Sequence, residues 1–172
     1  DSVTSIGSYA FYDCFNLESV DIADSVQNIS HSVFSSCKKL REVEIPEGVT
    51  AIKDNTFYNC SALETVILPE GITTIGQSAF GSCDALESLE IPTTVTSIGS
   101  SAFSTCDNLD GIVLPEGLIE LDNNVFYFCT SLTEITIPET VTEIRGNCFQ
   151  GCTALKKVKL HNYITSIHGY AF

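Results

Sequence analysis

The sequence predicts a repeat solenoid whose coils stack through parallel β-strands, and three columns of identical residues support this prediction. Phenylalanine, cysteine and leucine each recur every 23 residues, and they lie three residues apart within the unit. A chain with one fixed period of this length folds as stacked units, because no single unit buries its own hydrophobic face. We therefore expect about seven and a half coils with one shared core. The phenylalanines occupy positions 11, 34, 57, 80, 103, 126, 149 and 172.

Each coil contains a short segment with apolar residues at alternate positions. In the second coil this segment is Val43, Glu44 and Ile45, followed by Pro46. Alternate side chains point to opposite faces of a β-strand, so Val43 and Ile45 should face inward and Glu44 outward. Equivalent segments should pair as a parallel ladder, and the proline ends each strand because it lacks an N–H donor. A second short strand is predicted over the VTxI motif, residues 49–52 of the same coil.

The FxxCxxL segment has a different spacing, with apolar residues at steps of three. This spacing indicates a short helical or 3₁₀ turn between the strands. A small polar residue two positions before the phenylalanine is the candidate N-cap of that turn, because its side chain can accept a bond from a free backbone amide. These candidates are Ser32, Asn55, Ser78, Ser101, Asn124 and Asn147.

The regularly spaced cysteines invite interpretation as a disulfide framework or a metal ladder. Their spacing from Phe and Leu instead places them on the inward face, where a free cysteine acts as a small apolar residue. The column contains seven cysteines, an odd number that cannot pair completely, and stacked parallel side chains rarely satisfy disulfide geometry. We therefore expect reduced thiols. Cys148, with His161 and His168 nearby in sequence, is the alternative zinc site, but this spacing fits no zinc finger. No metal or cofactor is predicted.

Catalytic motifs and nucleic-acid or membrane partners are not indicated. The sequence has no nucleophile elbow, phosphate loop, metal helix or dinucleotide fingerprint, so we predict that the protein is not an enzyme. Its three histidines occupy different columns and are expected to be solvent-exposed. The net charge of -14 repels phosphate backbones and argues against nucleic acid. No run of 18 apolar residues is present, which argues against direct membrane insertion.

The repeat closely resembles the BspA-like leucine-rich repeat family, which occurs in surface proteins of anaerobic bacteria and parasitic protists. The string IPTTVTSIGSSAFSTCDNL at 91–109 carries this resemblance, which covers the whole chain. The family implies localisation at the cell surface or outside the cell, and adhesion to proteins of a host or a neighbouring cell. We expect residues 1–172 to form a single leucine-rich repeat array, a segment of a longer protein anchored by parts outside this sequence.

The outward positions of the VxI strands are the candidate binding surface, because they vary without changing the core. The side chains at these positions are acidic in the early coils, apolar in the middle of the array and basic in the last coil, which favours a protein ligand. The alternative is a structural spacer or a self-assembling array, whose coils associate end to end or laterally without a dedicated ligand. The candidate residues are Glu42, Glu44, Thr65, Ile67, Ser88, Glu90, Val113, Glu134, Thr136, Lys157 and Lys159.

Overall fold

Two parallel β-ladders run along the length of the protein in a computed structural model, which describes residues 2–172. The strands are two or three residues long, as expected where each coil spends only a short segment on each side of the core. In chain order they are β1 (Ser5–Ile6), β2 (Asn28–Ile29), β3 (Glu42–Glu44), β4 (Ala51–Ile52), β5 (Thr65–Ile67), β6 (Thr74–Ile75), β7 (Ser88–Leu89), β8 (Ser97–Ile98), β9 (Gly111–Ile112), β10 (Glu120–Leu121), β11 (Glu134–Thr136), β12 (Glu143–Ile144), β13 (Lys157–Lys159) and β14 (Ser166–Ile167).

The first ladder contains the VxI strands and the second ladder contains the VTxI strands. In the first ladder β3 pairs with β5, β7 with β9 and β11 with β13. In the second ladder β4, β6, β8 and β10 form one continuous sheet, flanked by the pairs β1–β2 and β12–β14. Every pair is parallel and joins residues 23 apart, such as Val43 with Val66. Both predicted strand ladders are therefore confirmed.

Of the two predicted forms of the turn between the ladders, a short helix or a 3₁₀ turn, the helix does not occur within residues 2–172. Asn55 has a φ of 56°, in the left-handed region, so it does not cap a helix. Its amide instead donates to the carbonyl of Gln77 in the next coil at 2.8 Å. The N-cap prediction is wrong for the whole column, because all its members have a positive φ: Ser32, Asn55, Ser78, Ser101, Asn124 and Asn147.

The step of three in FxxCxxL nevertheless has a local cause. The amide of Cys60 donates to Phe57, and that of Leu63 donates to Cys60, which gives two successive three-residue turns of the 3₁₀ type. The amide of Phe57 itself donates across to Ala79 in the next coil at 2.8 Å. Amides that bond within the coil thus alternate with amides that bond between coils. This alternation prevents a continuous helical ladder and forms a third line of inter-coil hydrogen bonds.

The core is one stack of phenylalanine rings surrounded by aliphatic residues. Successive rings lie 5.3 to 5.6 Å apart between centroids, and their planes differ by only 2° to 13°. This is the offset-stacked geometry that aromatic pairs prefer. Buried residues from Ile22 to Ala171 form one continuous hydrophobic cluster. Within residues 2–172, no helix has the length and apolar character needed to cross a membrane.

We expect Phe103→Ala to lower the free energy of unfolding by roughly 3–5 kcal/mol. The ring is fully buried and stacks on Phe80 and Phe126, so its removal leaves a cavity that the rigid stack cannot close. Urea denaturation followed by circular dichroism measures the change. Phe15→Ala, at a ring that is 51% exposed, is the matched control and should cost far less. Equal losses for the two variants would contradict a buried phenylalanine stack.

Candidate functional site

The outward side of the first ladder, which we call the strand face, brings the predicted binding residues together. All eleven are exposed to solvent, while the apolar residues between them, such as Val43 and Ile135, are buried. Two of the exposed side chains are large and apolar, Ile67 at 54% and Val113 at 80% exposure. The strict alternation of strand side chains produces this arrangement.

The parallel register places equivalent residues of successive coils next to one another. Glu44 lies beside Ile67 in the β3–β5 pair, and Thr136 lies beside Lys159 in the β11–β13 pair. The two central members of the same column, Glu90 and Val113, directly follow β7 and β9. The column therefore alternates between acidic and apolar side chains across four coils before it becomes polar and then basic.

Two open grooves lie along the strand face. The first groove has a volume of about 440 Å³, and its lining includes Asp21, Asp24, Glu42, Glu44 and Ile67. The second groove has a volume of about 650 Å³, and its lining includes Ser88, Glu90, Gly111, Val113 and Glu134. Each groove thus presents one exposed aliphatic side chain among carboxylates.

Gly111, in the lining of the second groove, marks a close approach between two coils. It occupies the strand position held by Ser88 in the preceding coil and by Glu134 in the following one. A Cβ atom at Gly111 would lie 2.9 Å from the Cβ of Ser88, which is closer than van der Waals contact allows. Glycine at this position therefore allows the two neighbouring coils to approach closely, a feature that the sequence pattern alone did not single out.

Several charges of the strand face are paired with the next coil. Lys157 lies 3.4 Å from Glu134, and Arg41 lies 2.8 Å from Glu64. Both pairs are largely exposed and contribute little to stability. At the edge of the face, hydrogen bonds from the hydroxyl and amide of Thr133 lower the pKa of Asp110 and fix its carboxylate.

The geometry of the cysteine column indicates a structural role for its thiols. Each buried thiol of this column donates to the phenylalanine carbonyl of the preceding coil, as Cys60 does to Phe34 at 3.0 Å. Burial raises the pKa of the Cys106 thiol from 9.0 to about 12, so this thiol stays protonated and unreactive at neutral pH. All eight cysteines are free thiols, and Cys14 alone among them is exposed.

The alternative zinc site is not assembled. Cys148 is buried, and burial raises the pKa of its thiol to about 12. Within residues 2–172, no group of three or more His, Cys, Asp or Glu side chains is placed to hold a metal ion.

His31 and His168 are exposed as expected. His161 is half-buried, which corrects the expectation of a solvent-exposed ring, and its Nδ1 accepts a bond from the Tyr163 amide at 3.1 Å.

These features define the class of protein: a parallel β-solenoid of about seven leucine-rich repeat coils. A family model described as a BspA type leucine-rich repeat region, present in six copies, matches residues 1–110 and 73–172. The chain belongs to this family. Proteins built as leucine-rich repeat solenoids are generally non-enzymatic and mediate protein interactions. Comparison with curated proteins gives no match.

Two solved structures have closely similar folds. A leucine-rich repeat protein from Bacteroides ovatus is 35% identical, with a TM-score of 0.93 over 96% of this chain and 43% of its own. The leucine-rich repeat protein of T. pallidum, TpLRR, is 26% identical, with a TM-score of 0.82 over 87% of this chain and 72% of its own. The chain therefore spans less than half of the first of these proteins.

The raised thiol pKa values predict a specific loss of stability in alkali. A thiol whose pKa is higher in the native state contributes its full stabilisation below about pH 9. Between about pH 9 and pH 12 the thiol ionises in the unfolded chain but stays protonated in the native chain, so this stabilisation falls as the pH rises. We expect the stability difference between wild type and Cys106→Ala to shrink by about 2 kcal/mol between neutral pH and about pH 10.5.

Urea denaturation at both pH values measures this difference. Cys14→Ala removes an exposed thiol and is the matched control, which should keep the wild-type pH dependence. A stability difference for Cys106→Ala that stays constant between the two pH values would contradict the prediction.

Proposed function

We propose that this array is a non-enzymatic protein-binding or adhesion module, and that the strand face is its binding surface. The observation that carries the proposal is the exposure of Ile67 in β5 and of Val113 directly after β9, on a face whose other outward residues, apart from Gly111, are polar or charged. The fold itself does not require them, because Thr136 occupies the same column without disturbing β11. Aliphatic side chains at the centre of a charged surface are typical of protein-binding sites.

Burial of these two side chains supplies a clear source of affinity. Full burial of an isoleucine or valine side chain contributes about 1.5–3 kcal/mol. The carboxylates around them, among them Glu44 and Glu90, lie at the rim of the grooves, where charges govern association rate and partner choice more than affinity. The strand face thus combines apolar anchor points with charged surroundings that select the partner.

The proposed location is the cell surface or the extracellular space, and the proposed ligand is a protein of a host, a neighbouring cell or its matrix. The resemblance of the repeat to surface proteins supports this location. Neither an enzymatic step nor a cofactor enters the proposal, which requires only a rigid scaffold that presents a defined surface.

We expect simultaneous replacement of Ile67, Glu90 and Val113 by alanine to abolish saturable binding while leaving the protein folded. The reason is that all three side chains are exposed and contribute to the grooves but not to the core. Binding of the purified array to immobilised matrix proteins and to intact host cells is the measurement, and circular dichroism verifies folding.

The matched control replaces Ile119 and Glu143 by alanine. Both are exposed on the side of the second ladder, so this variant removes an apolar and an acidic group away from the strand face. It should bind as the wild type does. Binding that survives the triple replacement would overturn the proposed surface, and an array that binds none of these targets would favour the spacer or self-assembly function.

A further inference from the structure

We infer that the strand face accepts a basic, extended polypeptide segment whose apolar side chains recur at every third residue. This inference rests on the proposed function, because it identifies the partner of the same surface by its chemistry. Two independent features support it: the distribution of charge over the molecule and the spacing of the apolar side chains along the solenoid.

Most of the 22 acidic residues lie on the strand face or along its two edges, and those that do are all exposed. They form three carboxylate rows. One row directly precedes the first-ladder strands, one occupies the outward positions of the VxI segments, and one follows the proline column. The rows contain, respectively, Glu18, Glu64, Glu87 and Asp110; Asp21, Glu42, Glu44, Glu90 and Glu134; and Asp24, Glu47, Glu70, Glu116 and Glu139.

Positive charge on this face is confined to one neutralised arginine and the last coil. Arg41 is engaged by Glu64 at 2.8 Å. Lys156, Lys157 and Lys159 lie together in and beside β13, at the far end from the first groove. The face is therefore negative over the first six coils and positive at the seventh. A partner that lies along it needs basic side chains over most of its length, with acidic side chains only at the end that meets β13.

The apolar side chains set the spacing within the partner. Ile67 and Val113 lie two coils apart, and Glu44 and Glu90 are offset from them by one coil. Strands in a ladder are spaced by about 4.8 Å, so equivalent atoms two coils apart are separated by roughly 10 Å. A polyproline II segment advances about 3.1 Å per residue with three residues per turn, so side chains three residues apart are about 9.3 Å apart on one side.

A segment in this conformation, lying along the solenoid axis, therefore places the apolar residues of successive triplets opposite Ile67 and Val113. With three residues per turn, the basic residue of each triplet points about 120° away from the apolar one, toward a flanking carboxylate row. Beside Val113, Gly111 has no side chain that would cover the approach of the incoming apolar residue. A β-strand fits less well, because its side chains three residues apart point to opposite sides.

The test uses three labelled nine-residue peptides, with fluorescence anisotropy as the measurement. The first is three repeats of Lys-Leu-Pro, which spans about 28 Å as polyproline II. The second has the same composition in blocks, three Lys, three Leu and three Pro, and lacks the period of three. The third is three repeats of Glu-Leu-Pro. We expect the periodic lysine peptide to bind at least about tenfold more tightly than either of the others.

Matched charge reversals locate the site. Glu44→Lys with Glu90→Lys should weaken binding of the periodic lysine peptide by about tenfold or more and reduce its dependence on salt. Asp107→Lys with Glu143→Lys makes the same change in net charge at exposed positions outside the three rows and should leave the affinity nearly unchanged. Equal weakening by the two variants would overturn the inference, since binding would then follow net charge alone.

The remaining outcomes separate this inference from the proposed function. Equal binding of the periodic and block peptides would overturn the period of three, and equal binding of the lysine and glutamate peptides would overturn the basic partner. If no peptide binds while the array still binds a protein target through Ile67, Glu90 and Val113, the inference fails and the proposed function stands. If both assays fail, the proposed function fails with it.

Discussion

In-register stacking of coils is the constraint on which the rest of the structure depends. A single insertion would move every column by one position, and inward residues of the strands would then face solvent. The carbonyl of Phe34 shows how closely the coils are joined, because it accepts the amide of Cys37 in its own coil and the thiol of Cys60 in the next. Phenylalanine and cysteine therefore act as one unit that fixes the distance and the register between neighbouring coils.

The same register converts sequence columns into rows on the surface. Once the core columns fix the coils, the outward position of each strand is free to change, as the succession of Glu44, Ile67, Glu90 and Val113 shows. Each choice costs little in folding free energy, since surface substitutions usually have small effects. A solenoid can therefore evolve a binding surface coil by coil while it keeps one core.

Much of this fold was predictable from the sequence because the period reports directly on burial. The two ladders, the inward cysteines and the exposure of Ile67 and Val113 all follow from apolar spacing. The backbone of the turn did not follow, because Ser and Asn suit both a helix N-cap and a left-handed residue, and only their bonds to the next coil distinguish the two. Phe128 adopts the left-handed conformation as well, and composition gave no signal for it. The close approach of Gly111 to Ser88 joins two coils, so a single repeat does not reveal it.

The charge distribution opposes the stacking that the core enforces. Carboxylates in equivalent positions of adjacent coils are held close together, and two unit charges about 4 Å apart in water repel by about 1 kcal/mol. The phenylalanine stack and the inter-coil hydrogen bonds offset this repulsion, so the fold tolerates a negative face without needing one. Cations along that face would relieve the repulsion, and a basic chain would also cover Ile67 and Val113. The free array therefore presents unsatisfied charge and exposed apolar area on the same surface, and one partner of complementary chemistry satisfies both.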